Sequence, residues 1–373
     1  MTEPASRRRE PTTADVARRA GVAKATAARA LGGYGSVSPE VRDRVTAAAR
    51  ALGYRPNELA RSMGTGRSRT IGLVVGDIEN SYFGLATRAI SEVAHAAGYE
   101  VVLVNTAERH ADEADAVRLL LDKRVDGLVV VPAASFEAAH LRAACATGRP
   151  VVLLDRRRED VPALSVGVDV VPAVRELTGA LLAAGHTRVA YLTSLEPEFD
   201  HPDLELVSSP IADRLRGMRL AFADAGVPFP ADLTLFGAHS PAATAALVDR
   251  ALDGPDPATA VVSSDAVIAL DVLTRLRERG EDLPGRVSFA SFDDAPWAPL
   301  VDPAVTAVRQ PIEQVGAECA RLLLEQVQHP GTGRDSGPGA SGDGEGAGPA
   351  RVRSFPAHVV HRASIGPGPR ARR

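Results

Sequence analysis

From Thr70 onward, short runs of branched apolar residues alternate with alanine-rich stretches at intervals of roughly 25–30 residues, a spacing typical of strand–helix units. A first series comprises TIGLVVG, YEVVLVN, GLVVV and PVVLLD, and a second begins after about Val168 with RVAYLTS, LTLFG, TAVVSS and RVSFASFDD. Such alternation builds parallel sheets with helical crossovers. The two series predict two similar α/β lobes with a ligand-binding cleft at the carboxyl ends of their strands.

The first 69 residues differ from the rest in charge. They hold 14 Arg or Lys and 6 Asp or Glu, a net charge of +8, whereas the remainder holds 29 and 41, a net charge of −12. A basic head on an acidic body suggests that the head alone contacts a polyanion. A solvated basic arm would give the same charge count.

Three helices are predicted in this head, after an N-terminal arm (residues 1–11) that is expected to be disordered. They span about Thr13–Ala20, about Lys24–Leu31, and Pro39 to about Leu52, and Gly21 breaks the pattern between the first two. This layout is typical of a helix-turn-helix, whose second helix enters the major groove of DNA. An alanine-rich helical hairpin without a DNA role is the alternative. The predicted head core consists of small apolar residues: Val16, Ala17, Ala20, Val22, Ala27, Ala30 and Leu31.

The stretches TTADVARRAGVAKATAARALGG and SVSPEVRDRVTAAARALGYRPNELARSM resemble the DNA-binding head of the LacI/GalR family of bacterial transcription regulators. The match is close over residues 12–63. The landmarks VVGDIENSYF, VVLLDR, DRLRGMRLAF, SFDDAPWA and TAVRQP extend it through a two-lobed core to about Arg362. The resemblance implies an all-α helix-turn-helix head with a hinge helix. It also implies an α/β core of two parallel-sheet lobes similar to periplasmic sugar-binding proteins.

The domain boundaries that follow are a helix-turn-helix domain over 12–55, a hinge helix and linker over 56–69, a core over 70–365 and a tail over 366–373. Within the core, we expect the N-lobe to comprise about 70–167 and 306–330. The C-lobe is expected to comprise about 168–305 and 351–365. The intervening segment 331–350 has 8 Gly and 2 Pro and is predicted to be a flexible loop.

The resemblance implies DNA-binding roles for residues of the first two helices. Lys24, Ala25 and Arg29 occupy base-reading positions. Ala25 offers only a methyl group, and arginine is suited to paired hydrogen bonds with guanine. Thr13, Thr26 and Ala28 occupy positions that face the DNA backbone, and Ala28 lacks a hydroxyl for a phosphate.

The expected hinge helix carries Asn57, Ala60 and Met63. In the family this helix folds on operator DNA and enters the minor groove, and Met63 stands where a leucine wedge is usual. A flexible apolar side chain at this position is still able to unstack a base step.

Polar and aromatic side chains near the predicted strand ends are the candidates for effector contacts. In the family, Arg214 holds ligand hydroxyls or a carboxylate. Asp77 and Asp265 are equally suited to cap the helices that follow them, and Phe83 and Trp297 to pack in the core. The candidates are Asp77, Ser81, Phe83, Asp155, Arg214, Ser264, Asp265, Asp293 and Trp297.

An acidic stretch, SLEPEFDHPDLELVSSPIADR, is longer than we expect between a strand and a helix. Its His201, Asp203 and Glu205 have the chemistry of metal ligands. A solvated loop or a cleft lid is favoured, because no second His or Cys cluster accompanies them.

Enzyme signatures are missing from the sequence: there is no GxGxxG after a strand, no P-loop and no GxSxG. Asp293 and Asp294 are adjacent, so on a strand they would point to opposite faces and would not cooperate as an acid and a base. No cofactor or metal is expected. A small-molecule binding protein or an enzyme of the same two-lobed fold is the alternative to a regulator.

The remaining expectations concern partners and location. Cys145 and Cys319 form no spaced pair, the N-terminus lacks a secretory h-region, and no apolar run is long enough to span a bilayer. We therefore expect a cytoplasmic, nucleoid-associated protein that does not contact a membrane. The tail GPGPRARR cannot form a coiled coil, which favours a homodimer over a tetramer. The expected partners are double-stranded operator DNA and a small-molecule effector, a sugar or related metabolite.

Overall fold

The computed structural model describes residues 11–32, 35–54, 67–200, 202, 204–329 and 352–369. The chain divides into two compact units, Met1–Arg69 and Thr70–Arg373, which we call the head and the core and describe separately. The hinge residues Asn57, Ala60 and Met63, the loop 331–350, and His201 and Asp203 of the acidic stretch lie outside the described residues, as does the arm before Pro11.

The head contains the three expected helices, α1 (Thr13–Ala20), α2 (Lys24–Gly32) and α3 (Pro39–Leu52). The start of α1 is fixed by a capping box, in which the Thr12 hydroxyl accepts from the Asp15 amide and the Asp15 carboxylate accepts from the Thr12 amide. Its end is set by Gly21 at φ 65°, a left-handed conformation that glycine adopts without strain.

The core of the head is built from small side chains. Val16 and Val45 are fully buried, and alanines from all three helices close around them. Of the residues expected there, Ala20, Val22 and Leu31 are half-buried at its margin. Because alanine side chains are short, the three helix axes lie close together, and a larger residue would force them apart. The buried alanines are Ala17, Ala27, Ala30, Ala48 and Ala49.

The first lobe of the core is a sheet of β1 (Thr70–Val75), β2 (Glu100–Asn105), β3 (Gly127–Val130), β4 (Val151–Leu154), β5 (Leu164–Asp169) and β11 (Val352–Pro356). The strand order is β11-β5-β4-β3-β1-β2, and all pairs are parallel. The helices of this lobe are α4 (Ser81–Ala96), α5 (His110–Asp122), α6 (Ala139–Ala146) and α12 (Ile312–Gln328).

The second lobe repeats this plan with β6 (Val189–Thr193), β7 (Thr234–Phe236), β8 (Ala260–Ser263), β9 (Ser288–Phe292), β10 (Thr306–Arg309) and β12 (His358–Val360). The order is β12-β10-β9-β8-β6-β7, and only β12 runs antiparallel to its neighbour. The helices are α7 (Val171–Ala183), a short α8 (Leu204–Val207), α9 (Ser209–Asp224), α10 (Pro241–Leu252) and α11 (Ala266–Glu278).

The allocation of the last segments to the lobes differs from the sequence-based expectation. Segment 306–330 was expected in the N-lobe, but β10 pairs with β9 of the second lobe while α12 packs on α4 of the first. Segment 351–365 was expected in the C-lobe, but β11 pairs with β5 of the first lobe and only β12 joins the second. Strand–helix alternation does not reveal which sheet edge a terminal strand joins, since both edges offer unpaired backbone groups.

The end of the chain is tied to the second lobe by buried polar groups. The His186 ring contacts the Thr259 hydroxyl at 3.0 Å through one nitrogen, and the Ser288 hydroxyl at 2.8 Å and the Gly366 carbonyl at 3.0 Å through the other. The Ser364 hydroxyl accepts from the Thr306 amide at 2.8 Å. These bonds satisfy polar groups that burial would otherwise leave unpaired.

Helices α4 and α12 approach each other closely at Gly316. A Cβ atom at this position would lie 2.6 Å from the Ala86 carbonyl oxygen, a separation at which the backbone must move. We expect Gly316→Ala to lower the free energy of unfolding by about 1–3 kcal/mol, as overpacking in a core does. Denaturant titration followed by circular dichroism measures the change.

Gly84 of α4 is the matched control, because a Cβ atom there would meet nothing within 4 Å. Gly84→Ala should raise the free energy of unfolding by about 0.5–1 kcal/mol through helix propensity alone. Equal effects of the two substitutions would contradict a close α4–α12 approach.

Candidate functional site

The exposed face of α2 carries the residues expected to read bases. Lys24, Ala25 and Arg29 are exposed, whereas Thr26 and Ala28 are half-buried. Ala23, which precedes α2, has a methyl side chain that cannot cap a helix, and the first turn of α2 holds no acidic residue. Free amide groups and the positive end of the helix dipole make such a start compatible with a phosphate.

Thr13 is engaged within the head. Its hydroxyl lies 2.8 Å from the hydroxyl of Tyr54, which follows α3, so this bond ties α1 to the end of the third helix. Its expected contact with the DNA backbone stays a prediction, as do the base and backbone contacts of α2.

The carboxyl ends of the strands of both lobes bring polar residues together in the core. Asp155 follows β4, and Asp293 follows β9. Both adopt left-handed backbone conformations, with φ of 69° and 62°. Aspartate tolerates this region better than most residues, and strain of this kind concentrates at functional sites.

Arg214, on α9, is the central cation of this region. Its guanidinium carbon lies 4.3 Å from the centroid of the Phe292 ring, and the side chain is only 8% exposed. Burial alone would lower the pKa of Arg214, but Tyr191, Asp293 and Asp155 raise it above the ordinary value. The guanidinium therefore stays charged, held by a ring face and by carboxylates of both lobes.

Three buried polar atoms of this region make no hydrogen bond of good geometry among the described residues: the hydroxyls of Tyr82 and Tyr191 and the Nε of Arg214. Asp155 nevertheless lies close enough to the Tyr82 hydroxyl, and Arg214 to the Tyr191 hydroxyl, to influence their pKa values. Burial raises the pKa of Tyr191 to about 12, and burial together with Asp155 raises that of Tyr82 well above its usual value. Both phenols are therefore neutral donors. Buried donors from two lobes that lack well-formed bonds suit a site that binds a polar ligand.

Asp293 is the most perturbed carboxyl of the region. It is 6% exposed, and the Gln310 side-chain amide donates to its Oδ1 at 2.6 Å. Burial raises its pKa to about 6, which outweighs the opposing effects of Arg214 and Gln310. Asp293 thus changes charge near neutral pH.

The structure gives Ser264 and Asp265 a local role beside this cluster. Asp265 caps α11 by accepting from the Val267 and Ile268 amides, both at 2.9 Å, and Ser264 donates to it at 3.1 Å. Burial raises the pKa of Asp265 despite these bonds. The capping alternative is therefore realised in the structure, and an effector contact from the same carboxylate stays a prediction.

The other candidates have contacts of their own outside this cluster. Asp77 accepts from the Glu79 amide at 2.9 Å, and Ser81 is exposed at the start of α4. Phe83 is buried in the first lobe and edge-on to Tyr82, with ring centroids 5.3 Å apart. Trp297 packs against an apolar cluster of the second lobe. Their effector contacts stay predictions.

Sequence reasoning missed Tyr191, Phe292 and Gln310. The first two lie inside apolar strands, where a Tyr or Phe is indistinguishable from a core residue. Gln310 follows β10 in TAVRQP, and only the pairing of β10 with β9 brings it to Asp293.

Asp294 has different partners from Asp293, and both residues lie beyond the end of β9, so the expected strand geometry does not apply to them. It forms ion pairs with Arg309 and with Arg362, the latter at 2.7 Å. Burial acts to raise the pKa of Asp294, but the two arginines hold it below the usual range. Asp294 is thus an anchor for the chain end and not a partner of Asp293 in acid–base chemistry.

Glu205 of the acidic stretch pairs with Arg157, and no group of three or more metal-ligating side chains occurs in the part of the chain that the structure describes. Within that part, no helix is both long enough and apolar enough to cross a bilayer.

A head with an exposed second helix and a two-lobed core with a polar cleft define a class of DNA-binding proteins. The model of bacterial regulatory proteins of the lacI family matches residues 12–57, and that of the periplasmic binding protein-like domain matches residues 178–365. The HTH-type transcriptional regulator AscG of Escherichia coli (strain K12) is 31% identical over 315 residues, covering 84% of this chain and 91% of AscG. The HTH-type transcriptional regulator PtxS of Pseudomonas putida is 31% identical over 372 residues, covering 98% and 100%.

Solved structures share the architecture. A complex of the transcriptional regulator CelR with cellobiose is 26% identical, with a TM-score of 0.63, and covers 95% of this chain and 100% of that one. A lac repressor dimer bound to operator and the anti-inducer ONPF has a TM-score of 0.77 at 22% identity, with coverage of 96% and 100%, and shows the shared fold. The chain belongs to the lacI family of bacterial regulatory proteins, and it is a DNA-binding transcription regulator.

Asp293 and Asp294 should affect stability with opposite dependence on pH. Because the pKa of Asp293 is raised in the folded state, its contribution to stability is full below pH 4 and is lost as the pH rises toward 6. Asp293→Asn should remove this loss, which amounts to about 3 kcal/mol for a shift of this size. Denaturant titrations between pH 3 and pH 8 measure the difference from the wild type.

Asp294→Asn is the matched control. Its lowered pKa contributes stability that is present above the ordinary pKa and is lost as the pH falls. The variant should therefore be destabilised at neutral pH and approach the wild type in acid. If the difference in free energy of unfolding from the wild type changed with pH in the same direction for both variants, these assignments would be contradicted.

Proposed function

We propose that this regulator is a homodimeric repressor whose affinity for operator DNA is controlled by a sugar or related polyhydroxylated metabolite bound between the core lobes. The observation that carries the proposal is the buried cluster of Tyr82, Tyr191 and Arg214 around the Asp155 and Asp293 carboxylates, in which three donor atoms lack well-formed hydrogen bonds. Donors and carboxylates in one cleft complement hydroxyl groups, which both accept and donate hydrogen bonds. CelR, which is 26% identical, has been solved with cellobiose.

On DNA, we assign base contacts to Lys24, Ala25 and Arg29 of α2, and backbone contacts to Thr13, Thr26 and Ala28. Two heads of a dimer would read the half-sites of a near-palindromic operator in adjacent major grooves. The hinge residues would meet at its centre in the minor groove: Asn57, Ala60 and Met63.

In the core, we assign the principal effector contacts to Asp155, Arg214 and Asp293. We assign additional effector contacts, around these three, to Asp77, Ser81, Phe83, Ser264, Asp265 and Trp297. An effector that binds one lobe arrangement more tightly shifts the population toward it, and this differential affinity is the only source of control. We assign no catalytic residue and no cofactor, and we place the protein in the cytoplasm, where its DNA partner is.

Arg29 should contribute both affinity and specificity on DNA. In a selection with purified protein at low salt, we expect a symmetric site of roughly 14–20 base pairs, two half-sites about one to two helical turns apart. Arg29→Ala should weaken binding to this site by about 5- to 150-fold and relax the preference at one base pair per half-site. Fluorescence anisotropy at fixed salt measures the affinity.

Arg175→Ala removes one positive charge from the core and is the control for a change in net charge. It should leave operator affinity unchanged. Failure of the wild type to enrich any site at low salt would contradict the proposed function and favour a binding protein or enzyme of the same fold.

Arg214 should be required for effector binding. A thermal-shift panel of cellobiose, ribose, other neutral sugars and nucleosides should identify a compound that raises the melting temperature and changes operator affinity. Arg214→Gln should abolish both effects by removing the buried cation. Arg216→Gln, two residues along α9 and exposed, should preserve both. Loss of the response in the Arg216 variant alone would contradict the assigned site.

A further inference from the structure

Arg157 joins the two lobes directly. It lies between β4 and β5 of the first lobe, and its guanidinium donates to both carboxylate oxygens of Asp213 on α9 of the second lobe, at 2.5 and 3.0 Å. The same group donates to Glu205 on α8 at 2.6 Å, and the Arg157 amide donates to the Ser209 hydroxyl at 3.0 Å.

An aromatic contact accompanies this ion pair. Phe136, between β3 and α6 of the first lobe, lies with its ring centroid 5.7 Å from that of Phe199 in the second. Arg158, almost fully buried, holds the Phe136 loop by donating to the Ser135 carbonyl at 2.5 Å and to the Phe136 carbonyl at 3.1 Å. Arg158 thus positions the first-lobe side of the aromatic contact, next in sequence to the arginine that forms the ion pair.

The geometry distinguishes this bridge from the surface ion pairs of the protein. The Arg157 and Asp213 side chains are 25% and 12% exposed, and their bond is bidentate. Exposed single ion pairs contribute little to stability, whereas bidentate and partly desolvated pairs are stronger and fix orientation. Since its members belong to different lobes, the bridge is lost when the lobes separate.

We propose that Arg157, Glu205, Ser209 and Asp213, with the Phe136–Phe199 contact, form an interlobe latch that stabilises the lobe arrangement in which these contacts are made. The acidic stretch after β6 thereby acquires a role. It carries Glu205 and Phe199 to the first lobe, and the length that sets it apart lets it reach there. Glu205 and Asp213 of this stretch bind the Arg157 guanidinium.

The latch sets how much free energy an effector must supply to change the lobe arrangement, and this consequence rests on the proposed function. An effector that binds best to separated lobes has to break the latch, which lowers its affinity. An effector that binds best to the latched arrangement gains affinity from the latch. Arg157 is a positioning residue, because it contacts the opposite lobe and not the assigned effector site.

Hydrogen–deuterium exchange of the full-length protein, without DNA or effector, tests the latch. Arg157→Gln should accelerate amide exchange about tenfold in peptides covering 133–137 and 204–209, one from each lobe, as expected for loss of a coupled pair. Asp213→Asn should have the same effect. The double variant should add nothing further, because either substitution removes the same bond.

Arg175→Gln is the matched control, since Arg175 pairs with Asp224 entirely within the second lobe. It should leave both peptides at the wild-type exchange rate. Glu205→Gln, which keeps the Asp213 bond, should give a smaller acceleration of about threefold and provides a readout if Arg157→Gln does not fold. Wild-type exchange in all three latch variants would overturn the proposal, as would equal acceleration by Arg175→Gln. The experiment contains neither operator nor effector, so its result is independent of the proposed function.

Discussion

A parallel sheet with helices on both faces has no free face, so its chemistry is confined to the ends of its strands. This constraint organises the core. The central strands β4, β8 and β9 are buried along their whole length, and the polar side chains appear where these strands end. The central guanidinium of Arg214 then meets the carboxylates of Asp155 and Asp293 because two sets of strand ends face one cleft.

The sequence predicted the helices and strands better than it predicted which strands pair with one another. The three head helices and the strand–helix alternation follow from local signals, such as the cap at Thr12 and the glycine at position 21, and they appear where expected. Strands β10 and β11 were assigned to the wrong lobes and β12 to the right one, because a short terminal strand carries no signal of the sheet that it joins. The resemblance supplied Arg214 and Asp293, whereas Tyr191 and Gln310 depend on packing that only the folded chain creates.

Three consecutive arginines have three different structural roles, although the residue type is the same. Arg156 binds Glu108 and the Pro132 carbonyl within the first lobe, Arg157 crosses to the second, and Arg158 holds the Phe136 loop. Their different directions follow from the turn that the chain makes after the left-handed Asp155. Local charge density alone would have predicted a solvated basic surface here.

The chain passes between the lobes three times, after β5, after β10 and between β11 and β12. Consequently, the first lobe is not encoded by a continuous stretch. Its helix α12 and its edge strand β11 leave the ribosome only after nearly all of the second lobe has been made. The second lobe can therefore begin to fold while the first still exposes the flank that α12 will cover. Neither lobe is complete until its last strand has been made, β11 for the first and β12 for the second, so during synthesis the first lobe stays unfinished, and exposed to aggregation, while most of the second lobe is added.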